Sequence, residues 1–123
     1  MSNPYQSGGT RVLECPAEMR LASGRDATDL ISLAREHEAD LVAVPAERVS
    51  DDFFRLATGL AGEIVQKFQT YEVRLAIVGD ISRFLEKSST LRAFVIEANR
   101  GKHVWFTKDA VELQQRMEMG SGI

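Results

Sequence analysis

The stretch Leu56–Gly79, LATGLAGEIVQKFQTYEVRLAIVG, contains the repeating unit of the fold. Leu60, Ala61, Ile64, Val65 and Phe68 recur at helical spacing and form one apolar stripe. The run VRLAIV, 73–78, follows directly and is too apolar for a half-solvated strand. Gly79 ends it. A helix feeding a buried strand is half of a strand–helix–strand crossover, the unit of a parallel sheet.

The same alternation extends in both directions. Upstream, DLVAV (40–44) reads as a buried strand stopped by Pro45, and AERVSDDFF (46–54) as a connector that folds Phe53 and Phe54 onto the core. Asp26 is a suitable N-cap for an amphipathic helix over 27–39, built on Ala27, Leu30, Ile31 and Ala34, with His37 at its edge. RVLEC (11–15) alternates as a strand, Pro16 breaks it and EMRLA (18–22) resumes it, which predicts a hairpin. Residues 1–9 are polar, contain Pro4, Gly8 and Gly9, and read as a loose arm.

Downstream, Ser82 reads as the cap of a short helical turn through Lys87. Ser89 caps a longer helix carrying Leu91, Phe94, Val95 and Ala98, and Gly101 closes it. HVWF (103–106) is the last strand, with Trp105 in the core. Thr107 then caps a final helix bearing Ala110, Leu113 and Met117. The order is β-β-α-β-α-β-α-β-α. It predicts a single α/β domain over 10–118, with about five strands in a mixed, mostly parallel sheet and about four helices. Residues 1–9 and 119–123 are the expected flexible tails.

Composition narrows the function. At 123 residues and 44% hydrophobic content, the chain supports one ordinary core. No apolar run approaches the roughly 18 residues that span a bilayer. The N-terminal MSNPYQSGGTR lacks the apolar segment of a secretory signal. A lone cysteine, Cys15, forms no internal disulfide and suits a reducing cytoplasm. The net charge is −3 and the basic residues are scattered, which argues against a nucleic-acid partner.

Gly59 and Gly62 stand at the start of the quoted helix, where each costs up to about 1 kcal/mol relative to alanine. TGLAGE matches neither a P-loop nor a dinucleotide fingerprint, and Lys67 is too far along to serve as a P-loop lysine. At 100° per residue, Gly59, Gly62 and Gln66 fall opposite the apolar stripe. Three readings remain open. Gly59 belongs to the helix start; Gly62 packs under a neighbouring loop; or the glycines form a smooth face where another backbone approaches. Thr58 borders that face. A phosphate there would meet the positive end of the helix dipole, opposed by Asp51 and Asp52.

ATGLAGEIV resembles the D-S-[ST]-G-[LI]-[GA] helix start of the STAS domain, the fold of sulfate-transporter tails and anti-sigma-factor antagonists. VWFTKDAVEL is similar to that family's last strand and helix. The resemblance implies that Thr58, just before Gly59, occupies the regulatory phosphorylation position. Leu56 and Ala57 stand where the family has its aspartate, and the connector after the third strand is several residues longer. DFFRLATGLAGEIVQKF, YEVRLAIVGD and FVIEANRGKHVWF more closely resemble the uncharacterised bacterial family called domain of unknown function 4180, over roughly residues 10–117. That likeness implies no activity.

Other chemistry is sparse. Glu47, Asp51, Asp52, Asp80 and Ser82, with Thr107, gather at the expected carboxyl edge of the strands, where α/β sheets collect ligands. Asp51 and Asp52 also favour a helix start, and Asp80 with Ser82 a turn. No nucleophile or histidine base accompanies them, so no catalytic set is assigned. His37 and His103 are isolated, and no metal or cofactor is expected. Cys15 reads as a small buried apolar residue, Glu63 and Lys67 as a solvated i,i+4 pair, and Asn99 and Arg100 as helix-end caps.

Together these readings imply a cytoplasmic, non-enzymatic regulatory or protein-docking module. Its face is Thr58, Gly59, Gly62 and Gln66, switched by phosphorylation at Thr58, and a homo-oligomer is compatible with it. Two alternatives stay open: a small-molecule sensor at the strand ends with Asp80 and Ser82 in its wall, and an enzyme using the acidic edge.

Overall fold

The computed structural model describes residues 4–121. The expected tail residues 1–3 and 122–123 lie outside that range. The strands are β1 (Tyr5–Ser7), β2 (Thr10–Glu14), β3 (Leu41–Pro45), β4 (Arg74–Val78) and β5 (Val104–Thr107). The long helices are α1 (Gly24–Glu36), α3 (Leu60–Thr70), α5 (Ser89–Arg100) and α6 (Ala110–Ser121), with single turns α2 (Asp51–Phe54) and α4 (Ser82–Leu85).

The strands lie in sequence order, β1-β2-β3-β4-β5. β1 pairs antiparallel with β2, and every later pair is parallel. Alternation along the strands sends side chains to two faces. Leu13, Val42, Val44, Leu75, Ile77 and Phe106 join the large core under α1, α3 and α5. Val12, Leu41, Ala43, Ala76 and Trp105 face the other way, against Leu113 and Met117 of α6. Three connecting helices therefore share one face and a single helix covers the other. With strands in consecutive order the sheet has no topological switch point, the usual reason for a ligand crevice at strand carboxyl ends.

Several expected boundaries move. The hairpin forms one strand earlier: Ser7 pairs with Thr10 around Gly8 and Gly9, both at positive φ. Glycine bears that conformation without a Cβ penalty, so part of the expected arm is a strand. EMRLA forms only the single bridge Leu21–Val49, because Pro16 and its neighbours turn the chain toward α1. Ser23, not Asp26, caps α1 by accepting from the Asp26 N–H at 3.1 Å, while the Asp26 carboxylate accepts from the Ala22 N–H. Ser88 rather than Ser89 caps α5. Asp109 rather than Thr107 holds the first turn of α6, accepting from the Glu112 N–H at 2.8 Å. Thr107 is buried and its hydroxyl has no hydrogen-bond partner.

Asn99 does something a cap does not. Its carboxamide accepts from the Phe106 N–H at 2.7 Å and donates to the Phe106 carbonyl at 3.1 Å. It occupies the free edge of β5 much as another strand would, shielding an edge that would otherwise recruit strands. Trp105 lies beside it, its indole N–H donating to the Gly101 carbonyl. The guanidiniums of Arg74 and Arg116 each sit 4.4 Å from the ring centroid.

Candidate functional site

The chain leaves α2 through Arg55 into a 3₁₀ turn, Leu56–Thr58, and enters α3 at Gly59. The Thr58 hydroxyl holds this turn. It shares its proton between the carbonyls of Asp52 (2.8 Å) and Arg55 (2.9 Å), and accepts from the Leu60 N–H at 3.2 Å. Gly59 has φ +81°. A side chain there would be strained, which accounts for the first glycine.

Gly62 has no such reason. It sits in the first turn of α3, and a Cβ added there would meet nothing within 4 Å. It does not pack under a neighbouring loop. Thr58, Gly59, Gly62 and Gln66 are all exposed, Thr58 and Gly59 just before α3 and Gly62 and Gln66 within it. The glycines that packing uses lie elsewhere. A Cβ at Gly24 would fall 2.1 Å from Glu63 Oε2 and 2.9 Å from Lys67 Cε. Glu63 and Lys67 thus lean over the start of α1, and they form no ion pair with each other.

The expected acidic edge does not assemble into one site. Glu47 and Asp80 line a hollow of about 400 Å³. Arg83 and Phe84 stand between it and a groove of about 690 Å³ lined by Asp51. Asp51 pairs with Arg83 at 3.2 Å and Asp52 with Arg55 at 3.2 Å. Asp80 accepts from the Ser82 hydroxyl (2.5 Å) and N–H (2.9 Å). Those two bonds hold its carboxyl below the usual carboxylate range, the hydroxyl contributing more. Asp51, Asp52 and Asp80 are thus each engaged in a local pair or turn.

A smaller cavity of about 300 Å³ lies at the ends of β2 and β3, with Tyr5, Glu14, Cys15 and Arg48 among its walls. Sequence patterning did not indicate it, because Tyr5 arrives from the segment read as an arm. Burial pushes the Cys15 thiol up, against a smaller opposing pull from Arg48. The sulfur donates weakly to the carbonyls of Pro16 and Met19. A raised pKa and a buried sulfur make a poor nucleophile. His37 ends α1, and its carbonyl accepts from Arg11 Nε. Among the described residues no His/Cys/Asp/Glu group is arranged to hold a metal ion, and no helix is long and apolar enough to cross a membrane.

A family model matches residues 7–117, all but the ends of the chain. The chain belongs to the family described as Domain of unknown function (DUF4180). The matched range runs from the hairpin into the last turns of α6, so the DUF4180 unit and the folded domain coincide. It includes the Thr58–Gln66 surface, the groove and the Asn99 edge cover. No curated protein matches the chain, and no solved structure does.

Proposed function

We propose that this chain is a non-enzymatic regulatory module of STAS-like architecture that docks a protein partner on the surface formed by Thr58, Gly59, Gly62 and Gln66. One observation carries the reading: Gly62 weakens α3, and among the described residues no atom stands where its Cβ would be. A glycine without an internal reason fits a face that another backbone approaches. The strand-end alternatives gain no comparable support, since Asp80 and Ser82 satisfy each other and the sheet has no switch point.

Phosphorylation at Thr58 is the proposed switch. Phosphate on Oγ1 would end its donation to the Asp52 and Arg55 carbonyls and add a charge of about −1.5 to −2 beside Asp52. Both effects loosen the 3₁₀ turn that leads into the docking face. The cytoplasm of a bacterium suits a chain with one buried thiol.

Affinity capture from the source organism's lysate tests this, with wild type beside Thr58→Glu and Gly62→Arg, all shown folded by circular dichroism. The reading expects a protein held by wild type and lost from both variants. Identical capture by all three, or none by any, removes it.

A further inference from the structure

The groove beyond the 56–58 turn joins an apolar side to a basic one. Its volume is about 690 Å³, within the span of small-ligand sites. Its apolar side is Phe54, Leu56, Ala57 and Phe84. The Phe54 and Phe84 rings stack with centroids 4.5 Å apart at 15°, and Arg83 lies 4.1 Å over Phe84. Its polar side carries three cations, Arg55, Arg83 and Lys87, against one carboxylate, Asp51. With Asp52, the partner of Arg55, counted as well, the local excess is one positive charge, in a chain whose net charge is −3.

The cations are not equivalent. Arg83 is paired with Asp51 and Arg55 with Asp52. Lys87 forms no ion pair among the described residues. Ser88 and Thr90 also line the groove, the Ser88 hydroxyl accepting from the Leu91 N–H as the α5 cap. Phe54 and Arg83 already stack on the Phe84 ring, so the open apolar wall is Leu56, Ala57 and the Phe84 edge. Beside an uncompensated ammonium it selects a ligand with both features: an aromatic body that covers Leu56 and meets the Phe84 ring edge, and an anionic group for Lys87. A simple inorganic anion would leave the apolar wall wet. A neutral aromatic would leave Lys87 unpaired. The two acids of the neighbouring hollow, Glu47 and Asp80, oppose an extended polyanion.

We infer that this groove binds a small aromatic carboxylate, with Lys87 as its anion partner. The site goes beyond the docking surface: it shares the 56–58 turn but uses neither Gly62 nor Gln66, so either can fail alone.

The test is a ¹⁵N–¹H NMR titration of the full chain with 2-naphthoate. Acetate and 2-naphthalenemethanol serve as the charge-only and ring-only controls. The expected result is saturable shifts confined to amides of residues 54–57 and 83–90, with each control binding about tenfold more weakly or worse. Lys87→Gln, an exposed change that keeps the fold, should weaken 2-naphthoate by about tenfold and leave 2-naphthalenemethanol unchanged. Three results would overturn the inference: no saturable shifts at these amides, equal binding of the neutral alcohol, or indifference to Lys87→Gln. Gly62→Arg should leave 2-naphthoate binding intact whatever it does to protein capture.

Discussion

Gly62→Ala should make the protein more stable. The added methyl meets no atom within 4 Å, and the residue already lies in α3 at a backbone conformation alanine accepts. What changes is the entropy of the unfolded chain and the helix propensity, worth about 0.5–1 kcal/mol. The position is in the first turn, so the lower half of that range applies best. Unfolding entropy near 2.1 cal/mol/K per residue gives about 0.26 kcal/mol/K for 123 residues. The melting temperature should then rise by about 2–3 °C. Differential scanning calorimetry reads this directly, with Gly59→Ala as the contrast. Gly59 also has open space around it, but its φ of +81° makes alanine strained, so that variant should melt lower. If Gly62→Ala melts at or below wild type, the glycine has a role inside the chain and the argument for a docking face collapses.

Other parts of the structure can be probed separately. Asn99→Ala removes both bonds to Phe106 and should cost about 1–3 kcal/mol. It should also promote self-association through the bared β5 edge, visible by light scattering; an unchanged melting point and mass would refute the edge-cover role. At Gly8, a Cβ would lie 2.6 Å from the Met117 carbonyl oxygen, with φ at +55°. Gly8→Ala should therefore destabilise the protein by at least about 1 kcal/mol and, by displacing α6, red-shift the emission of the lone tryptophan, Trp105. Ser82→Ala should raise the Asp80 pKa toward the ordinary carboxylate range, followed by carboxyl ¹³C titration. Since folding depresses this pKa, its contribution is present above the unfolded value and is lost as pH falls through the folded one. Wild type should therefore lose its advantage over Ser82→Ala only below about pH 4.

What could be read from the sequence was what depends on local period. Alternating helical and strand runs sufficed for the α/β order and the parallel sheet, because each buried strand is a nearly continuous apolar run and each long helix carries one stripe. Tyr5–Ser7 was missed because a three-residue edge strand has too few residues to show a period. The capping residues shifted by one to three positions wherever two nearby side chains offered an oxygen, as with Ser88 and Ser89 or Ser23 and Asp26. Non-local roles were invisible. Asn99 as an edge cover depends on the α5–β5 geometry, and Gly24 matters only because Glu63 and Lys67 cross above it. The candidate surface fared differently on its two sides. Gly62 and Gln66 share a face because helical spacing puts them there, whereas Thr58 and Gly59 precede α3 and are held by the 3₁₀ turn and the left-handed glycine. The acidic edge split, because Arg55 at the end of α2 takes its near neighbour Asp52 while Arg83 of α4 takes Asp51 and Asp80 turns onto Ser82.

The central claim is that α3's glycine-bearing face is where a partner docks. Hydrogen–deuterium exchange of the full chain, with and without the protein it captures, tests this most directly. The account predicts added protection concentrated in residues 56–66, lost in Gly62→Arg at the same partner concentration. Protection that falls instead on the β1–β2 hairpin or on α6, with residues 56–66 unchanged, would contradict it.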